Sequence, residues 1–410
     1  MDAINSGDNA FLLISAALVL LMTPGLALFY GGMVRSKNVL GTIMQSYYVI
    51  ALVSVLWAVV GYTLAFGPDI GGVIGGLNWV GLSGVGQEPF SDYSATTPHL
   101  SFMIFQAMFA VITPALITGA VAERVKFKGF VAFIVLWSLL VYSPIAHWVW
   151  GVGGWIRTLG ALDFAGGTVV HINAGVAALA AVLVIRGRRD YGVAPIIPHN
   201  LPMTVLGAGL LWFGWFGFNA GSALSSSGGL AASAFVATHL ATAAATLSWT
   251  TVEWLHRGKP TTLGAASGAV AGLVAITPAS GFVTPMPAIV IGLIAGLACY
   301  GAILLKSRLG YDDSLDVVGV HGVGGVTGAL LTGLFASVAV NAAGANGLFF
   351  GGPELILKQL VAIAVTVVYS FAVSFALLKL VDALIGLRVD DEDESVGLDI
   401  SQHSETGYAI

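Results

Sequence analysis

The sequence predicts an all-α polytopic membrane protein: eleven transmembrane helices, built as two inverted five-helix repeats plus a final helix. Three observations predict it. The 410 residues are 57% hydrophobic and 9% charged, with a mean hydropathy of +0.90, whereas water-soluble globules carry about 25% charged residues. Eleven apolar runs are long enough to cross roughly 30 Å of hydrocarbon. The spacing H-x-x-x-G-V occurs twice, as His171 to Val176 in the fifth run and His321 to Val326 in the tenth. Five runs separate the copies and five is odd, so the two helices are expected to run in opposite directions, as inverted-topology repeats do.

In chain order, MDAINSGD carries two aspartates and no Lys or Arg. That is unlike the basic leader of a cleaved signal peptide, so the first run, 9–33, is expected to be retained. Run 40–66 follows a basic loop with Arg35 and Lys37. Run 99–122 carries Phe109 within FQAMFAVITPA, and 128–150 ends on the aromatic stretch AHWVWGVGG. Run 167–187 follows Asp163 and holds His171. Run 201–220 closes the first crossing of the second half on WFGWFGFNAGS, and 230–254 holds His239. Runs 262–279, 284–306 and 318–340 complete that half, the last opening on His321. The repeats therefore cover about 9–187 and 201–340, and the eleventh run, about 355–386, stands outside them. Residues 1–388 form the transmembrane domain; residues 389–410 are an acidic, polar tail.

Basic residues fix the expected orientation. Fourteen of the sixteen Lys and Arg fall in alternate loops and beside the tail, leaving Arg157 and Lys358 opposite. The positive-inside rule then places the N-terminus outside and the C-terminus in the cytoplasm. The 54 glycines, about 13% of the chain against a usual ~7%, fit helices that pack backbone to backbone. The single cysteine, Cys299, excludes an intrachain disulfide. Nothing suggests nucleic acid.

His171, His239 and His321 lie well inside predicted spans. An intramembrane histidine is either a satisfied packing residue or a functional one. His239 has no repeat counterpart and reads as packing. His171 and His321 enter from opposite faces at matching positions, so they can meet near the bilayer centre. Neutral imidazole both donates and accepts a hydrogen bond, so two in contact can pass a proton while their surroundings stay uncharged. No Cys, Asp or Glu is spaced as a third ligand, so neither metal nor cofactor is expected. No nucleophile accompanies the pair, which argues against an intramembrane hydrolase or any enzyme. Asp163 reads as an N-cap of the fifth span, and Asp316 as part of a helix start. Trp148, Trp150, Phe216, Phe218 and Ser222 gather at the outer ends of the fourth and sixth spans. Such aromatics form an interfacial belt or, with glycine-rich turns beside them, a cavity whose rings hold a small cation.

The stretches DFAGGTVVHINAGVAAL, GWFGFNAGSA, AHWVWG, ALFYGGMVRSKN and GVHGVGGVTGALLTG, with the GLRV and GLDISQHSE segments of the tail, resemble the ammonium transporters of the Amt/Mep/Rh family over essentially the whole chain. The resemblance implies a homotrimer in the lipid bilayer of the plasma membrane. Each subunit would have a narrow hydrophobic pore between its inverted halves, passing ammonium and methylammonium for nitrogen metabolism. Trp150, Phe109 and Ser222 match the family's outer recruitment site, with the backbone of Ala165 nearby. Phe109 and Phe218 match the stacked pair that gates the pore, His171 and His321 its twin histidines, and Asp163 a structural aspartate beside the site. Gln106 and Thr277 match positions near the vestibule. The expected mechanism is cation recruitment, deprotonation and conduction past the histidines. The tail reads as a solvated acidic end or, by resemblance, as a docking element for a P-II type nitrogen-signalling protein. The alternative function is an ammonium sensor signalling through that tail.

Overall fold

The computed structural model describes residues 4–408; the first three residues of MDAINSGD and the last two of the tail lie outside the described residues. The apolar runs fold as helices: α1 Ser6–Met33, α2 Ser36–Phe66, α3 His99–Val121, α4 Phe127–Leu159, α5 Gly167–Ile185, α6 Leu201–Gly221, α7 Leu230–Arg257, α8 Thr262–Ile276, α9 Pro285–Leu309, α10 Val318–Phe335 and α11 Glu354–Leu384. Among the described residues ten of these are long and apolar enough to cross a membrane, and α8 is a shorter apolar helix. At 1.5 Å per residue α8 is only about 22 Å long. Its apolar run continues, but Pro278 has no N–H to extend the ladder, and the chain turns through a buried segment, 277–283.

Glycine sets how closely the helices approach. A Cβ on Gly207 of α6 would stand 2.3 Å from the Phe29 nitrogen of α1. On Gly32 of α1 it would stand 2.4 Å from Thr204 Oγ1, and on Gly221 of α6 2.6 Å from Ser15 Cβ. Early α1 thus meets late α6, so the two run antiparallel. α5 and α10 cross in the same sense and reciprocally. Gly175 meets the backbone of Gly322, and Gly325 meets the backbone nitrogen of Ile172, each contact falling one residue beyond the opposite helix's histidine.

Both histidines sit in stretches of wide π-type winding, Gly167–Ile172 and Val318–Val323, a local loosening frequent at functional sites. The long α2–α3 connection forms two small antiparallel hairpins, Asp69–Ile70 with Ile74–Gly75 and Pro89–Phe90 with Ser94–Pro98. They pack over one end of the bundle, here the aromatic end.

The basic loops gather at the opposite end. Buried Glu123 accepts from the Arg35 backbone nitrogen at 2.6 Å and from its Nε at 2.9 Å, and pairs with Arg188 at 3.4 Å. Arg188 also grips Asp312 through Nε at 2.9 Å and Nη2 at 2.8 Å. The tail is part of this network. It forms two short helices, α12 Asp391–Val396 and α13 Leu398–His403. Glu394 accepts from Arg388 Nη2 at 2.6 Å and from the Arg189 nitrogen at 2.7 Å. Leu398 N donates to Asn38 Oδ1 at 2.9 Å, and Gly41 N to Asp399 Oδ1 at 2.8 Å. Glu394 and Asp399 are buried. The tail is therefore docked through part of its length: Glu394 and Asp399 are buried against the loops, while Asp390, Asp391, Glu392 and Glu405 stay exposed.

Candidate functional site

A cavity of about 140 Å³ opens at the aromatic end, lined by Phe102, Gln106 and Phe109 of α3, Trp150 of α4 and Arg157 of its last turn, which follows a break at Gly151, and Ser222 and Leu224 beyond α6, with Tyr93, Asp92 and Phe164 from connecting segments. Trp150 is fixed by its indole Nε1, which donates to the Asp163 carbonyl at 2.9 Å. Its ring meets Phe109 edge-on, with centroids 5.6 Å apart and planes at 86°. Ser222 Oγ donates to the Phe218 carbonyl at 2.9 Å, which spends its hydrogen and leaves its lone pairs for a donor in the cavity. The buried Gln106 Oε1 has no protein partner. The cavity thus offers π faces and bare acceptor oxygens, a lining suited to a small cation that donates hydrogen bonds.

Asp163 holds the turn beside this cavity. Its carboxylate accepts from Gly166 and Gly167 through Oδ1 at 2.8 and 2.7 Å, and from Thr168 and Val169 through Oδ2 at 2.8 and 3.1 Å. Those are N–H groups at the start of α5, so Asp163 caps this helix with its side chain from three residues before the N-cap position, Gly166. Burial pushes its carboxyl above the usual range, against the pull of the four N–H donors. Ala165, two residues on, is fully buried.

Below the cavity Phe109 and Phe218 meet with centroids 4.4 Å apart and planes tilted by 40°, and both are buried. Next come the histidines. His171 Nδ1 and His321 Nδ1 lie 3.2 Å apart, with the rings near parallel at 22°. Trp215 stacks on His171 at 5.3 Å, its indole nitrogen held by Thr277 Oγ1 at 2.9 Å. The space around the pair, bounded by Met22, Leu26, Val170, Leu211 and the rings, is about 10 Å³, at the threshold for one water. A further cavity of about 30 Å³ lies beyond His321, lined among others by Tyr30, Ser267 and Asp316.

Several placements differ from the sequence reading. Trp148 turns away from the cavity, donating to the Val73 carbonyl and packing on Tyr369. Phe216 stacks on Phe235 beside His239 along an open apolar groove, because successive helix positions point about 100° apart. Thr277 serves Trp215 rather than the vestibule. Asp316 does stand at the start of α10, as read, its carbonyl accepting from Val320 at 2.9 Å and its carboxylate pairing with Lys306, but the side-chain cap there comes from Asp313, whose oxygens accept from Val317 and Val318 at 3.1 and 2.7 Å. Burial pushes the Asp313 carboxyl up to about 6. The signal for Asp313 was present: it stands eight residues before His321, as Asp163 stands eight before His171.

Residues 10–408 match the sequence model of the Ammonium Transporter Family. The chain belongs to that family. It is 57% identical to the "Ammonium transporter" of Bacillus subtilis (strain 168) over 403 residues, which cover 98% of each chain. Among solved structures it is similar to Candida albicans Mep2, at 35% identity and a TM-score of 0.89, covering 95% of this chain and 88% of that one. It is also similar to a structure titled "Sensor Amt Protein", at 30% identity and a TM-score of 0.88, covering 97% and 98%. Family membership fits the all-helical, multi-pass architecture described above.

Proposed function

We propose that this family member conducts ammonium across the plasma membrane through a hydrophobic path in each subunit of a homotrimer. The observation that carries the reading is a succession of spaces that share walls: an aromatic cavity lined by Phe109, the closed pair Phe109–Phe218, and a constriction of about 10 Å³ around two touching imidazoles, lined by Phe218. A hydrated ion does not fit that constriction. Moving a bare ion into a low-dielectric medium costs of order 20 kcal/mol in the idealised limit, and several after relaxation. Potassium, similar to ammonium in size and charge, has no way round this. Ammonium can leave a proton behind and cross as neutral ammonia.

Each residue takes a part in that scheme. Trp150 and Phe109 hold the cation by their faces while Ser222 and the free oxygen of Gln106 accept its hydrogens. Phe109 and Phe218 exclude water beneath it. At an Nδ1 to Nδ1 contact one ring carries the hydrogen and the other accepts it, so one outer Nε2 is bare and the other protonated. A proton arriving at the bare nitrogen lets the shared hydrogen shift across and the far proton leave. The pair thus relays a proton while ammonia moves beside it. The reciprocal contacts of Gly175 and Gly325 support two inverted halves with the path between them, and the charge distribution supports the N-terminus outside and the tail in the cytoplasm. There the packed tail and basic loops form a face on which a P-II type protein docks.

The test is purified protein in liposomes given an ammonium gradient. An ammonium-dependent current or uptake, absent in potassium at equal concentration, is the expected result. Equal conduction of both ions overturns the reading.

A further inference from the structure

The two basic residues left at the aromatic end are unexplained by packing against acids: neither Arg157 nor Lys358 is in an ion pair among the described residues. Arg157 matters most, because it is a cation at the mouth of a cavity suited to cations. The chain after Trp150 breaks its helix at Gly151 and returns through the short turn Trp155–Leu159. That return brings Arg157 Nη1 to the Trp150 carbonyl oxygen, to which it donates at 2.6 Å. The guanidinium is therefore anchored to the same residue whose indole forms a wall of the cavity. Arg157 and Asp92 are the two charged side chains among the described lining residues, and both are exposed.

We propose that Arg157 sets the apparent affinity of entry: it offsets Asp92, so that the mouth gathers no cation by charge alone and affinity is left to the aromatic cage. This rests on the recruitment reading of the preceding section. An acidic mouth without a counter-charge would raise the local concentration of every monovalent cation alike. With opposite unit charges on the lining, that general steering cancels, and binding falls to ring faces and acceptor oxygens. Arg157 also occupies the Trp150 carbonyl, an oxygen that an alkali cation would otherwise seek.

The prediction is a charge effect with a defined sign. At low ionic strength, Arg157→Gln lowers the methylammonium concentration for half-maximal uptake by about two- to fivefold, the order expected for removing one unit charge from a solvated mouth. Asp92→Asn raises it by a similar factor, and the double variant returns to the wild-type value. Arg157→Lys, which keeps the charge and loses the planar fork, stays near wild type. At 0.5 M choline chloride all these differences shrink, because the screening length falls below about 5 Å.

The assay is uptake by purified full-length protein in liposomes at both ionic strengths, with Trp150→Leu measured alongside. A shift in Arg157→Gln that persists at high salt, or that Arg157→Lys reproduces, assigns Arg157 to holding the loop and overturns the proposal. No shift in Arg157→Gln while Trp150→Leu is impaired also overturns it and leaves the recruitment reading standing. Wild-type behaviour in both variants removes the recruitment site itself.

Discussion

Replacing Gly175 by alanine tests whether function depends on contact between the two imidazoles. The added Cβ would stand 2.3 Å from the Gly322 nitrogen and 2.4 Å from its Cα. Ordinary van der Waals contact begins near 3.4 Å, and both obstacles are backbone, so no side chain can swing aside. α5 and α10 must part by about 1 Å, at an overpacking cost of roughly 1–3 kcal/mol. His171 and His321 ride on these helices within four residues of the wedge. Their 3.2 Å contact would open to about 4 Å, beyond hydrogen-bonding range. Ammonium-driven current in liposomes should fall at least tenfold, while size-exclusion profiles keep the wild-type assembly. Gly301→Ala is the control: nothing lies within 4 Å of its added carbon, and its current should be unchanged. A folded Gly175→Ala protein with wild-type current would refute the argument that the relay needs the contact.

Three further outcomes are expected. Trp150→Leu should raise the half-saturating methylammonium concentration between about two- and thirtyfold, since a cation–π contact contributes roughly 0.5–2 kcal/mol; an unaltered concentration dependence places recruitment elsewhere. His171→Asp puts a carboxylate in the constriction, where it can hold a dehydrated cation. Liposome currents should then show potassium passing with ammonium, and retained rejection of potassium would count against the relay. Ending the chain after Arg388 removes Glu394 and Asp399 from Arg388, Arg189 and Gly41. Pull-down with a P-II type protein should weaken, and equal capture by the shortened chain would take the tail out of docking.

The helices were legible because a membrane imposes one requirement on every span, a long apolar run, and the observed bounds follow the apolar runs within five residues, except that α4 carries the extra turn Trp155–Leu159 past its break at Gly151. The histidine pair was legible through its repeated spacing. What failed was facing. Trp148 and Phe216 share their stretches with Trp150 and Phe218, yet helical rotation sends them outward, and no composition rule distinguishes them. The rest of the cavity wall was hidden for a different reason. Tyr93, Asp92 and Arg157 come from hairpin and turn segments whose course depends on packing, so their convergence has no signature in one dimension. The tail was legible only in part. Most of its acidic run is exposed, as its composition suggests, but Glu394 is buried because its partners, Arg388 and Arg189, wait across the fold.

The 3.2 Å contact between like nitrogens has a kinetic corollary. Once a proton has passed, each imidazole holds the opposite tautomer: the nitrogen that received is now occupied, and the one that released is empty. The pair has a memory of the last crossing, and a second proton from the same side finds no vacancy. Conduction in one direction therefore alternates a hop with a reset that restores both tautomers by a route other than the relay, because the relay run backwards would return the proton. If that reset is slow, replacing water by deuterium oxide should lower the maximal ammonium current while leaving the half-saturating concentration unaltered.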